Sequence, residues 1–362
     1  MKTLRVRLTP CVPLPINATE LWENERFFRH PWRLGNHNAL VQNLGSMLHV
    51  NEADVKRLLP FSKAIELVRE AYVRLARGEA ANPLRVLLSV PGGASMLFMP
   101  GHVYGQETVA VKMARVNAGN SRVSLPTVLL TIYAYDATTG VQVAEVQGEW
   151  LTAVRTAAST AVATDILASK SVRVLGVFGT GREAVTHIPM LMLVRDFDKV
   201  LVYSRDKARR ELFAEKTSRD HEIPVVAADS PGRVARESDV IVTATTSDIP
   251  VFEGSLVKAG SHVNAIGSAT PEAREVDTAL VKRSRVVVDS RAQALTTYGD
   301  IIEPIREGSI RESEILELGE IIIGRKRVVM RDGDLTLFKS GGLAVLDATI
   351  TDHILRQLSL EK

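Results

Sequence analysis

An α/β chain in two domains, one built on a parallel sheet with crossover helices and the other on mixed α+β elements, is the architecture this sequence predicts. Two observations carry it. From about Arg85 to Ala144, β-prone runs follow one another at short spacing, divided by Gly, Pro and Asn, which is the pattern of an antiparallel sheet. Beyond Leu151, short apolar runs alternate with helical stretches, which is the pattern of parallel strands joined by helices. The length of 362 residues suits two cores better than one.

Composition narrows the class. Hydrophobic residues make up 45% of the chain and charged residues 24%, as in an ordinary globular protein. The net charge is +3 with both signs interspersed, so neither a nucleic-acid nor a membrane surface is expected. A single cysteine, Cys11, rules out an internal disulfide framework and a cysteine-based zinc site and fits a reducing cytoplasm. No apolar run reaches the roughly eighteen residues of a membrane span, and no apolar core follows the basic N-terminus to make a signal peptide. Residues 1–46, rich in Arg, Asn, Pro and aromatics, read as an extension, either a disordered arm or the product of a start upstream of Met47.

The ordered elements begin near Met47. Asn51 is a helix N-cap followed by acidic residues. Ser62 is expected to cap a second helix, with Ile65, Val68, Tyr72 and Leu75 on one face and an end near Gly78. Strands are expected at 86–90, 95–99, 108–116, 128–135 and 142–146, the last two joined by a turn at Asp136–Gly140. A helix is expected over 151–169. Strands follow at 172–178, 199–203, 225–226, 240–244, 262–266 and 285–288, with helices at 183–194, 207–219 and 233–237 between them. The tail from Leu335 to Leu360 reads as a Gly-bounded helix that returns to the first domain. The division is therefore 47–150 with 335–362 for one domain, and 151–334 for the other.

The strongest local signal is the run from Val174 to Ala184, an apolar strand leading into Gly179-Thr180-Gly181-Arg182-Glu183-Ala184 and then a helix. This is G-x-G-x-x-A in the strand–turn–helix context of a Rossmann dinucleotide site. Gly179 permits the tight turn, Gly181 lets backbone approach a pyrophosphate, and Ala184 lets helix and strand pack closely. The helix N-terminus offers amide donors and positive dipole to the phosphates. The second strand ends Tyr203-Ser204-Arg205, without a carboxylate at the point that usually meets a ribose 2′-hydroxyl, although Asp206 follows. Ser204 and Arg205 suit a 2′-phosphate, so NADP is preferred over NAD. The loops Thr245-Thr246-Ser247 and Ile266-Gly267-Ser268 follow strand ends, where ligands bind in open parallel sheets.

Three cations stand out in the first half of the chain: Arg85, Lys112 and Arg155. Lys112 lies inside the apolar run Val109–Ala114, where a charge is costly unless partnered, and an anionic ligand would be such a partner.

With these segments in view, the chain resembles the ornithine cyclodeaminase/mu-crystallin family. The resemblance rests on Asn82-Pro83-Leu84-Arg85, Phe98-Met99-Pro100-Gly101, Val111-Lys112-Met113, Leu125-Pro126-Thr127, Leu151–Ala158 with Arg155, the glycine loop, Asn264-Ala265-Ile266-Gly267 and Phe338-Lys339-Ser340-Gly341. It implies a homodimer in which the first domain binds substrate and dimerises and the second is a Rossmann NAD(P) domain. It also implies that Arg85 and Arg155 grip a substrate carboxylate with Lys112 at the reacting carbon, acting on its proton. Cofactor contacts are expected from Arg155, Thr156, Gly179, Thr180, Gly181, Arg182, Glu183, Ala184, Ser204, Arg205, Thr245, Thr246, Ser247, Ile266, Gly267 and Ser268. No metal is assigned.

Two positions depart from the family pattern. Ala269 stands where cyclodeaminases of the family carry an aspartate, and a methyl group can neither accept a proton nor orient water. Gln147 stands where relatives often have Asp, a position read as structural. The expected activity is therefore reduction of a cyclic ketimine such as Δ1-pyrroline-2-carboxylate, or of a related imino acid. Ornithine cyclodeaminase, an alanine-type dehydrogenase and a crystallin-like NADP-binding protein without turnover stand as alternatives.

Overall fold

The computed structural model describes residues 47–91, 93–330 and 333–361, with only backbone described for Ala118 and Ser121. The extension read over residues 1–46, Cys11 included, lies outside the described residues.

The first sheet has seven strands: β1 (Leu48–Val50), β2 (Ala80–Ala81), β3 (Val86–Val90), β4 (Ala94–Val103), β5 (Thr108–Val116), β6 (Val128–Asp136) and β7 (Gln142–Gln147). Its order is β1-β7-β6-β5-β4-β2, with β3 also paired to β4. Every pairing is antiparallel except β1 with β7. Two helices precede the body of this sheet, α1 (Glu52–Leu58) and α2 (Phe61–Ala76). Asn51 caps α1 as expected, its side chain accepting from Ala53 N and Asp54 N. Ser62 does not cap α2; the helix starts at Phe61 behind Pro60, with no side-chain cap. Proline fixes its own φ and needs no donor at a helix start, so the turn forms two residues earlier than the serine suggested.

From α3 (Gly148–Leu167) onward the parallel sheet is built from β8 (Val174–Phe178), β9 (Lys199–Tyr203), β10 (Val225–Ala227), β11 (Val240–Thr243), β12 (His262–Ala265), β13 (Ser284–Val288), β14 (Leu316–Glu317) and β15 (Leu335–Lys339). Its order is β10-β9-β8-β11-β12-β15-β13-β14, and every pairing is parallel. The crossover helices include α4 (Arg182–Met192), α5 (Lys207–His221) and α6 (Pro231–Glu237). Strands such as Val240–Thr243 are buried along their whole length, as a sheet covered on both faces requires.

The tail differs from expectation. Leu335–Lys339 is a fully buried strand inserted between β12 and β13, and only the helix that follows it, Ala344–Leu360, packs on β4 and β5 of the first sheet. The apolar run Leu335–Phe338 is too short for a helix and is bounded by glycines, so strand pairing satisfies its backbone. The start of the final helix lies directly on β4 at Gly101, where a Cβ would sit 2.6 Å from the carbonyl carbon of Ala344.

Helix α3 is buried on nearly every side, which its Ala, Ser and Thr content allows. It packs on α2 and α4 and reaches β6 of the first sheet and β12 and β15 of the second, so it touches elements of both sheets. The site grows around its first turns.

Candidate active site

Strand alternation selects which residues of β5 face inward. Thr108, Ala110, Lys112 and Ala114 are buried, while Val109, Val111 and Met113 between them are half-buried. Lys112 is thereby turned toward the final helix, where its Nζ lies 2.8 Å from Asp347 Oδ2, with the two side chains 2% and 1% exposed. Arg155, in the second turn of α3, donates from Nε to Asp347 Oδ1 at 3.1 Å. The anionic partner that a buried Lys112 demands is thus the protein's own carboxylate. Two buried cations share it, however, so the cluster carries an excess of positive charge. Burial, and then the charge of Arg155, lowers the Lys112 pKa to about 8 against the pull of Asp347.

Arg85 joins the same neighbourhood through the loop after β15. Its Nε and Nη2 donate to Gln293 Oε1 at 2.9 and 2.5 Å, and Nη2 also donates to the carbonyls of Gly341 and Gly342. Gly342 in turn lies against the guanidinium of Arg155. The three cations singled out in the sequence therefore converge.

The glycine turn has the geometry a dinucleotide pyrophosphate needs. Gly179 adopts φ +114°, and a Cβ there would lie 2.4 Å from the carbonyl oxygen of Ala244. Nothing lies within 4 Å of a Cβ built on Gly181, so its backbone is open to close approach. Gly181 is the N-cap of α4 and offers no side chain to the first amides of the helix, while Ala184 is fully buried against the strand. These features fit NAD or NADP.

The turn is locked to the cation cluster. Thr186 Oγ1 on α4 donates to Ala153 O on α3 at 3.2 Å, and His187 Nε2 lies 3.1 Å from Thr160 Oγ1. His187 Nδ1 donates to the Glu183 carbonyl, and burial lowers its pKa to about 4, so it is a neutral structural group. Glu183 lies within electrostatic reach of both Arg155 and Lys112, and its buried Oε2 makes no hydrogen bond among the described residues. Burial raises its pKa to about 7 despite those cations.

The other residues expected at the cofactor are distributed as follows. Thr180 is half-buried and Arg182 exposed beside the turn. Thr156 turns its hydroxyl back to Thr152 O. Ser204 and exposed Arg205 stand at the end of β9, and Asp206 caps α5 by accepting from Arg209 N at 3.0 Å. Thr245 and Gly267 are tied together by one carboxylate that the sequence reading missed. Glu275 Oε1 accepts from Thr245 N and Thr245 Oγ1, and its Oε2 accepts from Thr243 Oγ1 and Gly267 N, at 2.6 to 2.8 Å. Thr246 is exposed and Ile266 buried, and Ser247 donates its hydroxyl to Ile249 O. Ser268 turns its hydroxyl inward to Asp300 Oδ2 at 2.6 Å, and Lys339 Nζ donates to Ser268 O and pairs with the same Asp300. Gln147 has a structural role, its Oε1 accepting from Glu52 N at 2.9 Å.

Asp347, Glu275, Asp300 and Lys339 are the residues that sequence reasoning did not assign. A signal existed for Asp347 and Lys339, since each is a charge within an apolar run, the cue that exposed Lys112.

A profile of the ornithine cyclodeaminase/mu-crystallin family matches residues 46–361. The chain is 33% identical over 311 residues to a Δ(1)-pyrroline-2-carboxylate reductase of Bacillus cereus, covering 85% of this chain and 95% of that protein. The structure of Thermococcus litoralis Δ(1)-pyrroline-2-carboxylate reductase, in complex with NADH and L-proline, superimposes with a TM-score of 0.83 at 35% identity, over 87% of this chain and 98% of that one. An archaeal alanine dehydrogenase dimer with bound NAD superimposes with a TM-score of 0.81 at 29% identity, over 87% and 97% of the two chains. Matched over almost the whole length of these relatives, and sharing their fold, the chain belongs to the ornithine cyclodeaminase/mu-crystallin family.

Proposed function

We propose that this chain is an NAD(P)H-dependent reductase of a cyclic ketimine such as Δ1-pyrroline-2-carboxylate, or of a closely related imino acid. The observation that carries this reading is the shared carboxylate. Lys112 and Arg155 both lean on Asp347, beside the phosphate turn, and leave the cluster short of negative charge. A substrate α-carboxylate supplies that charge, and an arginine fork is suited to hold it in two bonds. The relatives named above, from reductases of this imine to alanine dehydrogenase, support a C=N or CH–NH centre.

The chain's own groups have separable tasks in this reading. Arg155 and Arg85 orient the carboxylate with the guanidinium edges not taken by Asp347, Gln293 and the glycine loop. Lys112 Nζ, with a pKa near 8, exchanges a proton with the imine nitrogen. The final helix and β5 exclude water from that exchange. Gly179, Gly181, Thr180 and the start of α4 would hold the pyrophosphate, with Ser204 and Arg205 at a 2′-phosphate and the Thr245 and Gly267 loops along the ring side. A nicotinamide held there would supply hydride to the carbon of the same bond. NADP is the preferred form because Asp206 is engaged as a cap and Arg205 is exposed.

The domain division follows the same reading: 47–150 with the helix Ala344–Leu360 for substrate and dimerisation, and the parallel sheet for the dinucleotide. A second copy of the chain would cover the apolar side chains of Val86, Leu87, Leu88, Leu125 and Val128, each of which is exposed in the single chain. A homodimer and a cytoplasmic location complete the proposal. No helix among the described residues is long and apolar enough to cross a membrane.

Cyclodeamination is disfavoured because Ala269 offers no carboxylate near the reacting nitrogen. The test is NADPH and NADH oxidation with Δ1-pyrroline-2-carboxylate, with pyruvate plus ammonia, and with L-ornithine alone. Turnover of the cyclic imine is expected to dominate. Ammonia release from L-ornithine would overturn the reading of Ala269, and no turnover of any imine would leave a dinucleotide-binding protein without this activity.

A further inference from the structure

Asp289 follows β13, is 3% exposed, and is held by five donors. Its Oδ1 accepts from Tyr298 OH and from Ser290 N, both at 2.8 Å. Its Oδ2 accepts from Ser340 Oγ at 2.7 Å, Gly342 N at 2.9 Å and Gly341 N at 3.1 Å. The Gly341–Gly342 peptide is therefore fixed from one side by a single carboxylate. Tyr298 closes the loop on another side, since a Cβ on Gly341 would fall 2.4 Å from Cε1 of its ring.

The opposite side of this dipeptide meets both arginines. The Gly341 and Gly342 carbonyls accept from Arg85 Nη2 at 3.0 and 2.9 Å. Gly342 has φ +81°, and a Cβ on it would overlap Arg155 Nη1. So the loop directs Arg85 through two carbonyls and bounds Arg155 with a bare Cα. Neither role uses a side chain of the loop, which is why two glycines suffice.

We infer that Asp289 is a positioning residue that sets the spacing of the Arg85 and Arg155 guanidinium groups through the Gly341–Gly342 peptide, and thereby sets affinity for the substrate carboxylate. The inference rests on the proposed function, in which those arginines hold that carboxylate. Its reach is selective. Among the described residues the Asp289 cluster is hydrogen-bonded to the arginine loop and not to the Gly179 turn. Of the expected cofactor contacts only Arg155 borders the Gly341–Gly342 peptide, so NADPH binding is expected to follow it far less than carboxylate binding. A bidentate grip loses most of its strength when one fork rotates, because both bonds depend on the same plane.

The experiment compares the wild-type chain with Asp289→Asn, Gly342→Ala and Tyr298→Phe, with Arg155→Ala as reference. Dissociation constants for NADPH alone, and for L-proline in the presence of NADP⁺, are measured by calorimetry. KM and kcat for imine reduction are measured alongside them. Asp289→Asn is expected to weaken L-proline and raise KM by about tenfold or more while NADPH binding stays within twofold. Tyr298→Phe, which removes one of the five donors, is expected to give a smaller shift in the same direction. Gly342→Ala puts a methyl group against Arg155 and is expected to reproduce the selective loss, so it decides the matter if Asp289→Asn does not melt cooperatively. Unchanged L-proline binding in a folded Asp289→Asn, or equal losses of L-proline and NADPH, would overturn the inference while the proposed function stands. If the wild-type chain binds no amino-acid carboxylate, or Arg155→Ala binds it as well as wild type, both fall.

Discussion

Lys112 and Arg155 reach the two oxygens of one carboxylate, that of Asp347, at 2.8 and 3.1 Å. The three charges come from a strand, a central helix and the final helix, so they can meet only once the final helix has packed back on the first sheet. Asp347→Asn leaves two buried cations with a neutral neighbour. Removing one member of a buried ionic set typically costs about 3–5 kcal/mol. The expected outcome is a fall in Tm of several degrees and a further drop in the Lys112 pKa, because Asp347 is the group that raises it. Thermal melts at neutral pH check the first part. An unchanged melt would mean that the pair is not a structural element of the fold.

Lys112 supplies a pH signature. In the proposed function its ammonium form donates the proton for imine reduction, and its pKa is lowered by burial to about 8. The rate kcat/KM of reduction should therefore fall as pH rises through about 8, and oxidation of the amine should rise over the same interval. Because Arg155 and Glu183 share the electrostatics, the apparent value belongs to the cluster. Lys112→Arg should remove that limb and lower kcat by roughly a hundredfold. A profile that keeps its limb in the arginine variant would assign the proton to another group.

Glu183 gives the opposite test on stability. Its folded pKa of about 7 lies above the ordinary glutamate value of 4.5, chiefly through burial, so its ionised form is disfavoured in the fold. The chain loses stability as pH rises from about 4.5 through 7 and keeps the full penalty above that. Glu183→Gln should gain on the order of 1 kcal/mol at pH 8, after allowance for solvent screening, and nothing at pH 4. Equal gains at both values would trace the effect to packing.

The architecture was legible because its signals are local. The turn at Gly179 and the alternation after residue 151 each depend on a few adjacent residues. Leu335–Lys339 was misread because a five-residue apolar run looks alike as a buried strand or as part of a helix, and only its pairing with β12 and β13 decides. Lys112 was legible as an uncomfortable charge, but its partner lies far along the chain at Asp347. Glu275, Asp289 and Asp300 carry no local mark at all. Each is an ordinary acidic residue near a turn, and its role comes from donors on other loops.

In the proposed function Arg205 separates the two cofactors. It is exposed after β9, and Asp206, the nearest carboxylate, is occupied in capping α5. An arginine fork on a 2′-phosphate is worth about 1.5–3 kcal/mol. Arg205→Ala should weaken NADPH by about tenfold or more and leave NADH within twofold, as read by fluorescence titration. Equal effects on the two nucleotides would remove the preference for NADP.

Glu275 tests whether the two loops beside the cofactor act as one unit. Its carboxylate accepts four hydrogen bonds, two from Thr245 and one each from Thr243 and Gly267. A glutamine in its place must turn an NH₂ toward one pair of donors. The Thr243 hydroxyl can rotate to accept from it, but a backbone N–H cannot, so Gly267 N or Thr245 N is left facing a donor whichever way the amide lies. A buried donor left unsatisfied costs about 1–3 kcal/mol. Glu275→Gln should therefore separate the loops, weaken NADPH binding by about tenfold and lower Tm by a few degrees. Thr243→Val removes a single hydroxyl while both backbone bonds remain, and should lower Tm slightly with no change in NADPH affinity. If a folded Glu275→Gln binds NADPH as wild type does, the loops are held in place by the sheet alone and the carboxylate has no part in the cofactor site.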